Sequence, residues 1–162
     1  MSILFKRHFQ LAYLVDDVHA AVADWGEKYG IKSWHIMDMV ALHGTVDASS
    51  RFIALAWTDE GLMIELIEPN EAVPSIYQGW RRDSGQANRF HHLGFLVDSE
   101  EEFSAVKRQL GKAGYPLAAE GAAGDLLEYA YVDTTAAFGH YYELIYLKGE
   151  GRTLFFAPVP RN

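Results

Sequence analysis

The sequence predicts an α+β protein made of two paired βαβββ modules whose strands form a curved mixed sheet. Three observations carry that prediction. First, one strand is written twice: "HFQLAYLVDD" from His8 to Asp17 and "FHHLGFLVDS" from Phe90 to Ser99. Leu11 falls on Leu93, Tyr13 on Phe95, Val15 on Val97 and Asp16 on Asp98. Second, each copy is followed by one helical pattern and then three strand-like runs. Third, the offset between the copies is nearly constant: 82 residues from Gln10 to His92 and 78 from Glu65 to Glu143.

The first strand covers about His8 to Val15 and is apolar on both faces. In "DDVHAAVADWGEKYG", Asp16 or Asp17 caps a helix, and Val18, Val22, Trp25 and Tyr29 recur at helical spacing. Gly30 is placed to end it. "SWHIMDMVAL", "RFIALAWTD" and "LMIELIEP" then read as strands, and "TDEG" has the composition of a tight turn between the last two.

The second copy keeps the order. "HHLGFLV" is a strand. "SEEEFSAVKRQLGKAG" is a helix, with Ser99 as N-cap and Glu102 at capping-box spacing. "YPLAAEG", "LLEYAYVDT" and "GHYYELIYL" are three more strands. The modules therefore cover 1–69 and 90–148. Residues 70–89 form a polar linker in which "SIYQGW" makes a short helix, and 149–162 form a tail. Two β-rich units that cannot each bury a whole sheet face should pack into one domain. "LFFAPVP" is too apolar for a free tail and is expected to cover a pocket or a partner subunit.

Composition narrows the class. The 162 residues are 49% apolar and 22% charged, an ordinary globular balance. The net charge of −8 argues against nucleic acid as a partner. No apolar run is long enough for a membrane span. The N-terminus lacks a signal-peptide pattern, so a cytoplasmic location is expected. Cys is absent, so any metal must be held by His, carboxylate or amide oxygen.

Alternation supplies the candidate site. If His92 points into a cavity, Gly94 and Leu96 join it, while His91 and Leu93 face away. Glu65 within "LMIELI" and Glu143 within "YYELIY" are carboxylates among apolar neighbours and need partners if buried. One divalent ion would solve both problems. Gln10 stands where His92 stands in the second copy, with His8 as the fallback on the same face. Glu68 alternates away from Glu65, towards solvent or the linker. His91 is expected to pack outside the cavity, and His140 to lie in an exposed loop at its mouth. Trp34, Trp57, Tyr77, Trp80, Tyr129 and Tyr131 supply core surface and some pocket lining, and Arg81 and Arg82 read as solvated linker.

Paired βαβββ modules with a ligand on the first strand and an acid on the last resemble the vicinal oxygen chelate superfamily. The motifs "HHLGFLVDS", "IELIEP" and "YYELIYL" are most similar to its glyoxalase I and methylmalonyl-CoA epimerase branch. The resemblance covers about Lys6 to Leu147. It implies a glyoxalase-like fold around a metal-binding cavity, with one divalent ion (Zn, Ni, Co or Mn) on Gln10, Glu65, His92 and Glu143. It makes Glu143 the proton-transferring base, with Glu65 second, and implies a homodimer.

The implied activity is that of a metal-dependent isomerase, epimerase or lyase, of the lactoylglutathione lyase kind, enolising a small carbonyl substrate. The aromatic content leans towards an apolar or ring-containing compound. Two alternatives share the fold. An Fe(II) extradiol-type dioxygenase would need two His and one carboxylate. A metal-free small-molecule binding protein would have no need of two acids among apolar neighbours.

Overall fold

The computed structural model describes residues 4–44 and 48–162. Its α+β class and twice-repeated βαβββ order are those the sequence predicts. By packing, the chain divides into two compact units, one of Leu11–His91 with Val159–Asn162, the other of the chain up to Gln10 with His92–Pro158. The division falls inside the first strand, β1 (His8–Leu14), and inside β5 (Arg89–Val97).

In the first unit, the Asp17 carboxylate accepts a hydrogen bond from the Ala20 amide at 2.9 Å and opens α1 (Val18–Tyr29). Gly30 ends it with φ at +77°, a left-handed conformation that glycine adopts without a Cβ clash. The strands run in the order β2 (His35–Asp38), β3 (Ser50–Trp57), β4 (Met63–Pro69), β1. The β3–β4 turn is the expected one, closed by the Thr58 amide on the Leu62 carbonyl at 2.8 Å. One face packs under α1, where Val15, Val18, Trp25, Ala54, Ile64 and Leu66 form the core with Leu11, Trp34 and Ile36. The alternate residues, among them Leu55, Glu65 and Ile67, therefore face the other way.

Several expectations change here. The strand expected through Leu42 stops at Asp38, whose carboxylate accepts from the Ala41 amide at 2.9 Å and starts α2 (Met39–His43). An N-cap overrides the apolar run. Glu68 is buried rather than solvated, because its Oε2 accepts from the Val18 amide at 3.0 Å, where a helix N-terminus favours negative charge. "SIYQGW" makes successive turns, not a helix, with Trp80 anchored by its indole N–H on the Phe90 carbonyl at 2.9 Å. His91 is buried, its ring tilted against Tyr77 and edge-on to Trp80. The last residues fold back within this unit: the Trp57 amide donates to the Pro160 carbonyl at 2.8 Å.

In the second unit the order is β5, β8 (Tyr141–Leu147), β7 (Leu127–Val132), β6 (Leu117–Ala123). Pairing is parallel for β5–β8 and antiparallel for the rest. The capping box forms at α3 (Glu100–Lys112): Ser99 Oγ accepts from the Glu102 amide, and Glu102 reaches back to the Asp98 amide. A short helix, α4 (Thr135–Phe138), joins β7 to β8. Phe95, Val97, Phe103, Leu110, Tyr142 and Leu144 form the core beneath α3. "LFF" belongs to α5 (Gly151–Phe156), where Phe156 packs edge-on against Phe9.

The first and last strands of each unit run in one register. The Val15 amide donates to the Ile67 carbonyl at 2.9 Å. Val97 stands opposite Tyr146, one residue beyond Ile145, as slanted parallel bonds require. Val15 to Val97 is 82 residues and Ile67 to Ile145 is 78, the offsets of the sequence repeat.

Tyr142 is fully buried, and its hydroxyl meets no hydrogen-bond partner among the described residues. Burial pushes its pKa from 10.0 to about 12. Tyr142→Phe removes an unsatisfied donor and is expected to raise stability by about 1 kcal/mol in urea denaturation at pH 7. The wild-type phenol stays protonated when folded but ionises in the unfolded chain, so stability is lost as pH rises through roughly 10 to 12. The same substitution should abolish that contribution to the alkaline decline.

Candidate metal centre

Three of the four predicted ligands lie in the second unit and meet around Gly94. His92 is wholly buried, and its Nε2 lies 3.2 Å from Glu143 Oε2. Glu143, 7% exposed, stands opposite Gly94 in the parallel ladder. Gln10, 2% exposed, occupies the space above Gly94, where an added Cβ would overlap Gln10 Oε1 and come within 3.0 Å of Gln10 Cβ. Gly94 is therefore glycine for space. Parity puts this cluster on the face away from α3, because Phe95, Tyr142 and Leu144 occupy the core side.

Glu65 belongs to the first unit. It is buried, 8% exposed, directly opposite Leu55 on β3. The shared register gives it the place in its unit that Glu143 holds in the other.

Aromatic groups complete the second unit's face. Tyr131 stands opposite Glu143 on β7, and its ring meets the His92 imidazole edge-on at 5.1 Å. Tyr129 lies on the same face, its hydroxyl over Gly121 of β6. Burial first, then the Glu143 charge, raises the Tyr129 pKa, so this phenol remains a donor. "LEYAYV" carried the signal, because Tyr129 and Tyr131 alternate with the core residues Ala130 and Val132.

Two histidines are elsewhere. His8 does not share the Gln10 face. It packs against Phe95 and Tyr142, where burial and then His140 lower its pKa. His140 is half-buried, stacked on Phe138 and tilted over Tyr142. A cavity of about 310 Å³ opens beside the end of β4, lined by Asp16, Arg51, Glu68, Glu71 and Arg82 among others. Its charges are paired, Arg82 with Glu71, Arg51 with Glu68 and Asp16 with Arg89.

These features define an α+β protein of repeated βαβββ modules with a buried histidine–carboxylate centre. The family model described as Glyoxalase/Bleomycin resistance protein/Dioxygenase superfamily matches residues 9–131, and the chain belongs to that superfamily. Among solved structures, it is similar to Streptomyces coelicolor methylmalonyl-CoA epimerase in complex with 2-nitronate-propionyl-CoA. That match has a TM-score of 0.63 at 16% identity over 90% of this chain and 100% of the other. Mycobacterium tuberculosis methylmalonyl-CoA epimerase gives 0.63 at 17%, over 93% of each chain. A methylmalonyl-CoA epimerase in complex with methylmalonyl-CoA and NH4+ gives 0.61 at 18%, over 87% and 94%. No curated protein matches the sequence. Among the described residues, no helix is long and apolar enough to cross a membrane.

Gly94→Ala is expected to displace Gln10 and destabilise the protein by about 1–3 kcal/mol. In a double-mutant cycle with Gln10→Ala, thermal unfolding should show part of that loss recovered, because the contact with Gln10 Oε1 goes while the Gln10 Cβ stays. Additive losses would mean that the two positions do not press on each other.

Proposed function

We propose that the protein is a metal-dependent isomerase or epimerase that enolises a small carbonyl substrate. The observation that supports it most is the buried His92–Glu143 pair with the Gln10 amide packed above Gly94. One nitrogen donor and several oxygen donors suit Zn, Ni, Co or Mn equally. Glu65 is the fourth ligand in this reading, on the strength of its burial and its duplicated position. A divalent ion bound to this set would act as a Lewis acid towards the substrate's carbonyl oxygen.

Glu143 takes the proton from the carbon beside the carbonyl, and Glu65 is the second choice for that role. His92 holds Glu143 in place through the pair they form, and the Tyr131 ring keeps water from the His92 imidazole. The position of His8 supports enolisation over dioxygenase chemistry, because the first strand then presents an amide where a two-His site needs imidazole. The epimerases of similar fold bind acyl-CoA compounds, which makes acyl thioesters the first substrates to test. We read the chain as a homodimer in the cytoplasm; light scattering at micromolar concentration tests the assembly.

Metal analysis of untagged protein should find one ion per chain, and His92→Ala should lose most of it. Full metal content in that variant would remove His92 from the set. Glu143→Gln keeps an oxygen donor but no useful base. It should fold, retain some metal, and lose about 10²–10⁴-fold in deuterium exchange beside the substrate carbonyl. The panel is acyl thioesters, 2-oxo-thiohemiacetals and cyclic ketones in heavy water. Tight binding without exchange, unaffected by chelators, would instead indicate a binding protein.

A further inference from the structure

The cavity beside the end of β4 lies wholly within the first unit, and one of its charge pairs is incomplete. Glu68, 8% exposed, spends its Oε2 on the Val18 amide at the start of α1. Its Oε1 lies 3.6 Å from the Arg51 guanidinium, close enough for charge attraction but too far for a hydrogen bond. Among the described residues, Arg51 makes no hydrogen bond at all. Its guanidinium rests over the Phe52 ring, 5.4 Å from the centre, and the register shift between Ser50 and Phe52 sets it off from the β3–β4 ladder. Such a bulge re-aims a side chain. The cavity thus presents a carboxylate oxygen short of a donor beside a guanidinium short of an acceptor. Elsewhere on its wall Arg82 holds Glu71, and Asp16 is held by Arg89 at 2.8 Å. Three carboxylates therefore meet three guanidiniums, so neither a simple anion nor a simple cation is favoured. Nor do these acids form a cluster able to hold a metal ion among the described residues. Val15, Pro69 and Ala72 add apolar lining, and the volume of about 310 Å³ is at the small end for ligand sites.

We propose that this cavity binds a small free α-amino acid as its zwitterion, with the ammonium on Glu68 Oε1 and the carboxylate on Arg51. The two charged groups of an α-amino acid share one carbon, which matches an acceptor and a donor standing side by side. The ammonium supplies the hydrogen bond that Glu68 Oε1 lacks. The carboxylate accepts from the guanidinium fork, and both contacts are charge-assisted. The zwitterion adds no net charge, so the balance of the wall is kept. A small side chain has the apolar lining of Val15, Pro69 and Ala72 to rest on. The site uses none of the residues assigned to the metal centre, and it stands whether or not the enolising reading holds.

The test is titration calorimetry on the full chain with glycine, L-alanine and L-aspartate, each run with and without a chelator. At least one of them should bind one per chain with a Kd below about 1 mM. Its N-acetyl and its amide counterparts, which each lack one of the two charges, should bind at least about tenfold more weakly. Arg51 is exposed, so Arg51→Ala should keep the wild-type unfolding temperature and weaken binding at least about tenfold. Glu68→Gln keeps an oxygen for the Val18 amide and should weaken binding as well. Arg108→Gln, on α3 of the other unit, should leave it unchanged. Absence of binding by all three amino acids up to about 10 mM overturns the inference. So does equal affinity for the N-acetyl counterpart, or unchanged affinity in both Arg51→Ala and Glu68→Gln. Binding that disappears with the chelator also overturns it, because the amino acid is then held by a metal ion.

Discussion

The fold is organised around the cost of burying carboxylates. Glu143 lies in a strand otherwise filled by apolar and aromatic side chains, and Glu65 in one whose only other charged residue is Glu68, each less than one-tenth exposed. An ionised carboxylate taken from water without partners costs several kcal/mol even after relaxation. In the second unit the nearest described answer is His92, wholly buried at ion-pair distance from Glu143. Such a pair fixes where the strands must run, because a shift of one residue would send both groups into the apolar core beneath α3.

The same constraint explains Gly94. A glycine inside a strand weakens it, and this one has no unusual backbone angle to justify it. Its value is the space it leaves for Gln10. Duplication made that arrangement accessible: both copies place a polar residue one step before the shared apolar pattern, and both run the first strand beside the last in one register.

Much of this was legible in the sequence because periodicity reports burial directly. The repeat set out the element order, and alternation in "HHLGFLV" and "YYELIY" placed His92 and Glu143 opposite the core residues. What periodicity cannot show is a local hydrogen bond that wins over it. Asp38 ends β2 by capping α2, and Glu68 is buried because it caps α1 from another strand. Alternation also fails where a strand begins: Arg7 has a positive φ, and His8 lands on Phe95 and Tyr142 instead of beside Gln10. The facing of Tyr131 was legible in "LEYAYV", but its place opposite Glu143 needed the cross-strand register, which a single strand's sequence does not contain.

The two units differ most in the rows that start at the two carboxylates. From Glu143 the row runs through Tyr131 to Ala119. From Glu65 it runs through Leu55 to His35. One row sets a phenol ring against the carboxylate and then leaves space. The other sets an apolar side chain there and then an imidazole. Fold and register are held in common, so neither row is required by the sheet itself. A symmetric pair of rows would present the same groups twice. The divergence of these rows within a shared register is thus where this chain departs from its own symmetry.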